Sequence, residues 1–543
     1  MNKLFAAEKI LINGKIVTVD SRDSIVEAVA IKDGRFLATG TTDQIKAFAA
    51  NDTEVLDLEG KMAMPGIIDS HTHPMLQASQ LLAINFRQLN VKTIDEVKEL
   101  VKSRAQELGP GKWVRGVSFN EFRLEENRHI TRWELDEVAP DNPVHILSDT
   151  YHQCIVNSQA LKLAGVTKDT QDPPGGEIQR NEVGEATGLL YEMAEMLVSK
   201  TIPPYTVEEI KAGYVDMINQ FSSWGVTSIQ DAGAHNLGIR AFQQLLKEGM
   251  RQIRISLMVS LFPRRAEKQD INLLDNLVNM GIESGFGDDW HKVIAVKIMG
   301  DGSGVGGTAV VYEPQHRGPK GLGIWMTDPT VIEEMTLKAH EAGIRVSVHC
   351  IGDRAIDVVL DCIEKAQKKK PIPDMRHLLQ HITCCNPKIL ERIKQLEVVP
   401  ALTTGAIYRL GDQVAENFGP ERSRWIYPHK TLKEMGVVAG SNSDFPIVST
   451  KPFEQMYAVV TRKTANGTQI APEEAVDIMD AIRIYTWNNA YTAKDEDKLG
   501  SIEPGKLADL IVIDRDITAL PSEALLEANV LMTVVDGKTV YEA

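Results

Sequence analysis

The sequence is short of cysteine, of long apolar runs and of positive charge, and each shortage removes a class of protein. Five cysteines (154, 350, 362, 384 and 385) are spread over 543 residues, two of them adjacent and none in a paired C-x-x-C arrangement. They are too few and too irregular for a disulfide framework and read as reduced thiols. No stretch supplies the roughly 18 to 20 consecutive apolar residues of a spanning helix, and Met1 to Gly14 lacks a charged segment followed by an uninterrupted apolar one. A soluble, cytoplasmic protein with no membrane partner is expected. Basic residues number 59 against 75 acidic, a net charge of −16, which disfavours nucleic acid and anionic membrane as partners. The one short basic run, Lys368 to Lys370, reads as a solvated helix end.

What is present is organised around alternation. A chain of 543 residues exceeds the size at which one core keeps growing, so a large domain and at least one smaller one are expected. Near the start, β-rich runs (Lys9 to Val19, Ala28 to Ala38, Glu54 to Leu58) are broken at Asn13-Gly14 and Asp33-Gly34, which read as hairpins. The last fifty residues repeat the pattern, with Asp536-Gly537 between Val530 to Val535 and Thr539 to Tyr541. Residues 1–62 and 495–543 together are expected to form one small composite β-sandwich domain. Between them, in 63–494, eight short apolar runs alternate with helical segments: Met64 to Asp69, Val226 to Asp231, Arg254 to Ser260, Val293 to Met299, Arg345 to His349, His377 to His381, Val398 to Leu402 and Val437 to Ser441. Helices are predicted over Leu237 to Glu248, Pro329 to Ala342 and Asp353 to Lys369. Eight such units favour an α/β fold, a closed (β/α)8 TIM barrel. The gap between the first two strands is too long for one connection. About 75–222 therefore read as a subdomain inserted after barrel strand 1, with helices over Ile94 to Leu108 and Thr206 to Trp224 and strands near Trp113 to Val117 and Val144 to Leu147.

Chemistry in such a barrel gathers where strands finish. Strand 1 ends in His71-Thr72-His73, and positions two apart on an extended segment point the same way, so both imidazoles can reach one cation. Strand 4 carries Lys297, strand 5 ends in His349, strand 6 in His381, and strand 8 leads to Asp444. Imidazole and carboxylate suit zinc or another divalent ion, one or two, with a position left open for water. An ammonium group repels a cation. Lys297, in the apolar run Val293 to Met299, would have its pKa depressed and could add carbon dioxide, and the carbamate could bridge two metals. The segment Gly302-Ser-Gly-Val-Gly-Gly307 fits G-x-G-x-x-G, but the Pro and Gly that follow exclude the helix a dinucleotide site requires.

Several of these segments carry a resemblance: Met64 to His73, Val296 to Ser303, His349-Cys-Ile-Gly-Asp-Arg354, Gln380-His381, Ser443-Asp-Phe-Pro446 and the tail Leu499 to Leu510. Together they resemble the amidohydrolase superfamily, in the branch containing N-substituted formamide deformylase. The resemblance implies a distorted (β/α)8 barrel, a composite β-sandwich, a divalent metal and hydrolysis at a carbon bonded to nitrogen. Carried over by motif, the metal ligands are His71, His73, Lys297, His349, His381 and Asp444. The chain departs from that branch at Thr150-Tyr-His152, where Asp-Gly-His is common, at Cys350 in place of Ala, at Gln380 in place of Glu, and at Asn442. The expected substrate is a small amide-type molecule, N-acyl or N-formyl. Asp444 would be general base and then acid, and His152 a donor to the oxyanion. Hydrolysis of a cyclic amide, deamination of a heterocycle, and a non-catalytic scaffold are the competing readings. Aromatic residues Trp113, Phe119, Tyr151, Tyr312 and Trp325 are candidates for a pocket or, equally, for core packing, and Arg354 for an anchor or an ion pair. A homo-oligomer is expected from size alone.

Overall fold

The fold is taken from a computed structural model. It describes residues 6–148, 153–173, 176–192, 194–261, 271–316, 321–448 and 451–543. Contacts divide the chain into two compact units, one made of Met1–Pro74 and most of the chain from Met217 onward, the other of Met75–Asp216 with a short later segment.

The first unit contains an eight-stranded parallel sheet in simple sequential order. Its strands are Ile67–Thr72, Val226–Ala234, Arg254–Ser260, His291–Met299, Val346–Cys350, Leu378–His381, Val399–Leu402 and Gly440–Ser441. Val, Ile and Leu dominate these runs and nearly every position is buried, as expected of strands covered on both faces. The helices between them lie where the apolar periodicity put them. Asp353–Lys369 buries Ala355, Ile356, Val359, Leu360, Ile363 and Ala366 on one stripe. Pro329–Glu341 starts with Pro in its first turn behind an Asp328 cap that accepts the Thr330 N–H.

The sheet closes through a seam rather than a ladder. The eighth strand is only two residues long, shorter than the Val437 to Ser441 run predicted. Closure comes from a single bridge between Thr72 and Phe445 and from two backbone bonds, Asp444 N–H to the His71 carbonyl at 3.0 Å and His73 N–H to the Phe445 carbonyl at 2.8 Å. The side chain of Asn489 spans the gap below, its amide donating to the carbonyls of Ile68 and Ser441 and its oxygen accepting the Ser441 N–H. A Cβ at Gly440 would stand 2.3 Å from that oxygen, so only glycine admits Asn489 here.

Two further sheets belong to the same unit. One has the order Arg35–Gly40, Ala28–Lys32, Lys9–Ile12, Glu54–Asp57; the other joins both chain ends in the order Lys538–Glu542, Val530–Val535, Leu510–Ile513, Met62–Pro65, Lys15–Val17, Ile25–Val26. Leu11, Val29, Phe36, Ala63, Leu510, Val512 and Val534 form one core from both. Two expectations are corrected. Asn13-Gly14 is a corner, not a hairpin: Lys9–Ile12 and Lys15–Val17 part company there and enter different sheets. Met64 to Asp69 is not one strand either. Met62–Pro65 pairs antiparallel with the C-terminal strand Leu510–Ile513, Ile67–Thr72 enters the barrel, and Gly66 separates them, where a Cβ would lie 2.2 Å from Thr227 Oγ1. Asp33-Gly34 and Asp536-Gly537 do turn paired strands, with positive φ at all four residues. A buried ion pair, Arg254 with Asp509 at 2.7 and 3.0 Å, ties the third barrel strand to the C-terminal tail.

The second unit holds a six-stranded mixed sheet, richer in strands than the sequence suggested, with the helix Ile94–Leu108 packed on it through Val97, Val101 and Ala105. The helix Val207–Ser223 begins in this unit and ends in the first. No helix among the described residues is long and apolar enough to cross a membrane.

Candidate metal centre

The cluster forms where the seam meets the strand ends. The alternation of the first strand turns His71 and His73 to the same side, with ring centroids 5.1 Å apart. Across the seam, Asp444 sits in the left-handed region at φ 54°, a conformation unusual for a residue with a side chain. It aims Oδ1 at both histidines, 3.4 Å from His71 Nε2 and 3.1 Å from His73 Nε2. Among the described residues these three are the set of His, Cys, Asp or Glu whose donor atoms approach closely enough for one ion, all within 4.8 Å of one another. His381 lies beside His71 with ring centroids 4.7 Å apart, and His349 meets His381 edge-on at 4.5 Å. His381 is also left-handed, at φ 72°.

Hydrogen bonds select which nitrogen each ring presents. His71 Nδ1 lies 2.7 Å from Gln380 Oε1, an acceptor only, so Nδ1 carries the proton and Nε2 is free. The Gln380 amide is held in turn by Ser347 Oγ at 2.9 Å. His381 Nδ1 donates to Thr403 Oγ1 at 2.7 Å, because the Thr403 hydroxyl is spent on Asn442 Oδ1 at 2.9 Å; its Nε2 is likewise free. His349 is reversed. Its Nε2 donates to the Gly302 carbonyl at 3.1 Å, which leaves Nδ1 as the donor atom it can offer. Two of these rings thus present Nε2 and one Nδ1, while His73 turns its Nε2 to Asp444.

The electrostatics suit cation binding. Burial, with Lys297 next, holds the His71 imidazole well below its ordinary value. Burial, then His349, does the same to His381, and burial, then Lys297, brings His349 down to about 4. All three are neutral at neutral pH, the state in which imidazole ligates. Lys297 is buried at 1 % exposure, and its Nζ has no hydrogen-bond partner. Burial lowers its amine to about 7, and no acid forms an ion pair with it among the described residues. An orphaned amine behind a set of neutral imidazoles and one carboxylate fits a divalent cation, with or without conversion of Lys297 to a carbamate.

Several supporting residues were not assigned a role from sequence. Asp69 accepts the N–H groups of His71 and Ser443, at 3.3 and 3.1 Å, and so braces both sides of the seam; burial raises it to about 6. Asp301 is fully buried and gathers three backbone N–H groups, from Val310, Ile351 and Gly352, at 2.8 to 3.0 Å. It thereby locks the loop that carries Gly302, and hence the acceptor that orients His349, to the loop after the fifth strand. Gly352 permits this, since a Cβ there would lie 1.9 Å from the Val310 carbonyl oxygen. Asp301 belongs to the quoted Val296 to Ser303 segment; its acidic character in an apolar setting was the available signal.

The pocket candidates fare differently. Phe119 is a core residue of the second unit, packed against Phe86 at 5.9 Å, and is withdrawn as a pocket residue. Trp113 packs against a core cluster of the same unit, and Trp325 against the main core of the first. Tyr312 is exposed, its hydroxyl bonded to Asp357 Oδ2 at 2.9 Å. Arg354 donates its backbone N–H to Asp353 Oδ1 at 2.9 Å at the helix start. Tyr151 and His152 lie outside the described residues. The Gly302 to Gly307 segment runs into loop, not helix.

The sequence profile of the Amidohydrolase family matches residues 54–541. The chain belongs to the amidohydrolase family. It is 30% identical over 548 residues to N-substituted formamide deformylase of Arthrobacter pascens, covering 98% of each chain. It is 29% identical to Protein LONG AFTER FAR-RED 3 of Arabidopsis thaliana, over 98% of this chain and 92% of the plant protein. Its fold matches the crystal structure of an uncharacterized metal-dependent hydrolase from Pyrococcus horikoshii, with a TM-score of 0.78, 27% identity and coverage of 95% of this chain and 99% of that one. As an amidohydrolase the protein is a hydrolase, and its His71, His73 and Asp444 group suits a divalent metal.

Proposed function

We propose that this amidohydrolase cleaves the C–N bond of a small amide, an N-formyl or N-acyl amine, by attack of water. The observation that carries the reading is the convergence of His71 Nε2 and His73 Nε2 on one oxygen of Asp444, beside a buried amine without a partner. The likeness to a protein named for deformylating N-substituted formamides favours the formyl and acyl amides over rings.

In this reading His71, His73 and His381 ligate through Nε2, His349 through Nδ1, and Asp444 and a carboxylated Lys297 complete the set, with zinc as the first-choice ion. The metal, when bound, lowers the pKa of water from about 15.7 towards 7 and polarises the substrate carbonyl. Asp444 accepts a proton as the water oxygen adds to the carbonyl carbon, then passes it to the nitrogen as the C–N bond breaks, so that a carboxylic acid and a free amine leave. His73 and Asp444 are the more solvent-accessible members of the trio, at 25% and 15% side-chain exposure against 1% for His71, so substrate enters on their side. His152 is assigned as donor to the developing oxyanion. Lys297 would take up carbon dioxide on its neutral amine and release one proton, giving a carbamate that would supply oxygen donors to the metal site.

Metal analysis of the purified protein, with turnover of a panel of N-formyl and N-acyl amines against cyclic imides and aminoheterocycles, tests the proposal. Stoichiometric metal with release of a free amine from an open-chain amide is expected. Ammonia from a ring substrate alone, or no bound metal, overturns it.

A further inference from the structure

The end of the barrel opposite the metal cluster holds a buried guanidinium that has no ion-pair partner among the described residues. Arg345 immediately precedes the fifth strand and is 2% exposed. Its backbone is pinned, with its N–H donating to Ser284 Oγ at 2.9 Å and its carbonyl accepting the Val296 N–H at 2.9 Å. Its Nε donates to the Arg376 carbonyl at 2.7 Å, but Nη2 is buried without a partner. No carboxylate forms an ion pair with it among the described residues. The acids nearby are engaged elsewhere: Asp374 with Arg376 and Lys494, Glu496 with Arg376, and Asp495 with Lys292. Burying a guanidinium without a direct ion pair is unfavourable, and burial, then the neighbouring Arg376, draws its pKa down to about 9 against the opposing pull of Asp374 and Glu496.

Arg345 lines a cavity of about 230 Å³ together with Ser284, Lys292, Lys494 and one acid, Glu283. Lys292 and Lys494 are paired with Asp495 and Asp374, which leaves Arg345 as the lining cation without an ion-pair partner among the described residues, and the Ser284 hydroxyl, which accepts from the Arg345 N–H, keeps its own proton to donate. We propose that this cavity is an anion site that takes a small oxyanion, phosphate or carboxylate, on the Arg345 guanidinium, with Ser284 adding a hydrogen bond. The planar guanidinium suits the two oxygens of such an ion. Four residues of extended chain separate Arg345 from His349, about 13 Å at roughly 3.3 Å per residue, so this ligand does not touch the metal cluster.

Calorimetric titration of the zinc-loaded protein with inorganic phosphate, at fixed ionic strength, reads the site. Wild type is expected to show a saturable phosphate site that Arg345→Gln weakens about tenfold or more and that Glu283→Gln tightens. If Arg345→Gln does not fold, Ser284→Ala, which removes the hydroxyl donor, replaces it, with a weakening of about threefold or more. Phosphate held by the metal alone would bind all variants equally. That outcome, or the lack of any saturable site in wild type, overturns the proposal.

Discussion

Replacing Lys297 with methionine should make the metal-free protein more stable while destroying its capacity to load metal. The side chain is almost fully buried, its amine has no partner, and burial brings its pKa from the ordinary 10.5 to about 7. At about 1.36 kcal/mol per pH unit, the fall from 10.5 to 7 corresponds to about 5 kcal/mol of penalty in the folded chain. The folded pKa lies below the unfolded one, so the penalty is full below about pH 7, shrinks as pH rises from 7 to 10.5, and vanishes above that window. Methionine has similar length and no charge. Allowing for imperfect packing, Lys297→Met should gain about 2 to 4 kcal/mol at pH 7. For a unit this large that is a rise of about 2 to 8 °C in Tm. The assay is thermal unfolding of metal-stripped wild type and variant in carbon dioxide-free buffer at pH 7 and pH 10. The gap should be wide at the first pH and nearly closed at the second. Adding zinc and bicarbonate should then stabilise wild type and leave the variant unmoved. A variant no more stable than wild type at pH 7, or a gap that does not change with pH, would refute the reasoning.

Three further outcomes follow from the same geometry. Asp444→Asn should retain metal by mass spectrometry yet lose about 10² to 10⁴ in kcat, since the amide cannot take the proton of the attacking water; near-normal turnover would dismiss Asp444 as the base. Gln380→Leu strips the acceptor that fixes the His71 tautomer, so competition with a metallochromic chelator should show metal affinity about 10- to 100-fold weaker. Asp301→Asn has one acceptor oxygen for N–H groups now shared between two, Val310 and Gly352 on Oδ2 and Ile351 on Oδ1. At least one buried N–H is left unpaired, and urea unfolding should show a loss of about 1 to 3 kcal/mol, with weaker metal binding through the displaced Gly302.

What could be read from sequence was whatever repeats with a period. Apolar runs of strand length, the stripe on Asp353–Lys369 and the histidines at strand ends are all local patterns, and each sits within a few residues of its expected place. What escaped depends on partners far along the chain. Asn13-Gly14 looks the same whether its flanking strands pair or diverge, and the choice is made by Glu54–Asp57 and Met62–Pro65, some forty residues on. The seam could not be anticipated, because Asn489 replaces a ladder from 421 residues beyond Ile68. The tautomers of His71, His349 and His381 depend on Gln380, Gly302 and Thr403, and only folding brings the distant Gln380 to His71.

The barrel's weakest join is also where the proposed metal centre lies. The first and last staves are held by few backbone bonds, and His73 and Asp444, 371 positions apart, face each other over that join. An ion gripped from both sides would act there as a rivet, closing a loop of 371 residues and removing its freedom to gape. Catalytic competence and the integrity of the hoop are then one property: a protein stripped of its ion should exchange amide hydrogens faster along 67–73 and 440–448 while strands on the far side of the barrel stay protected.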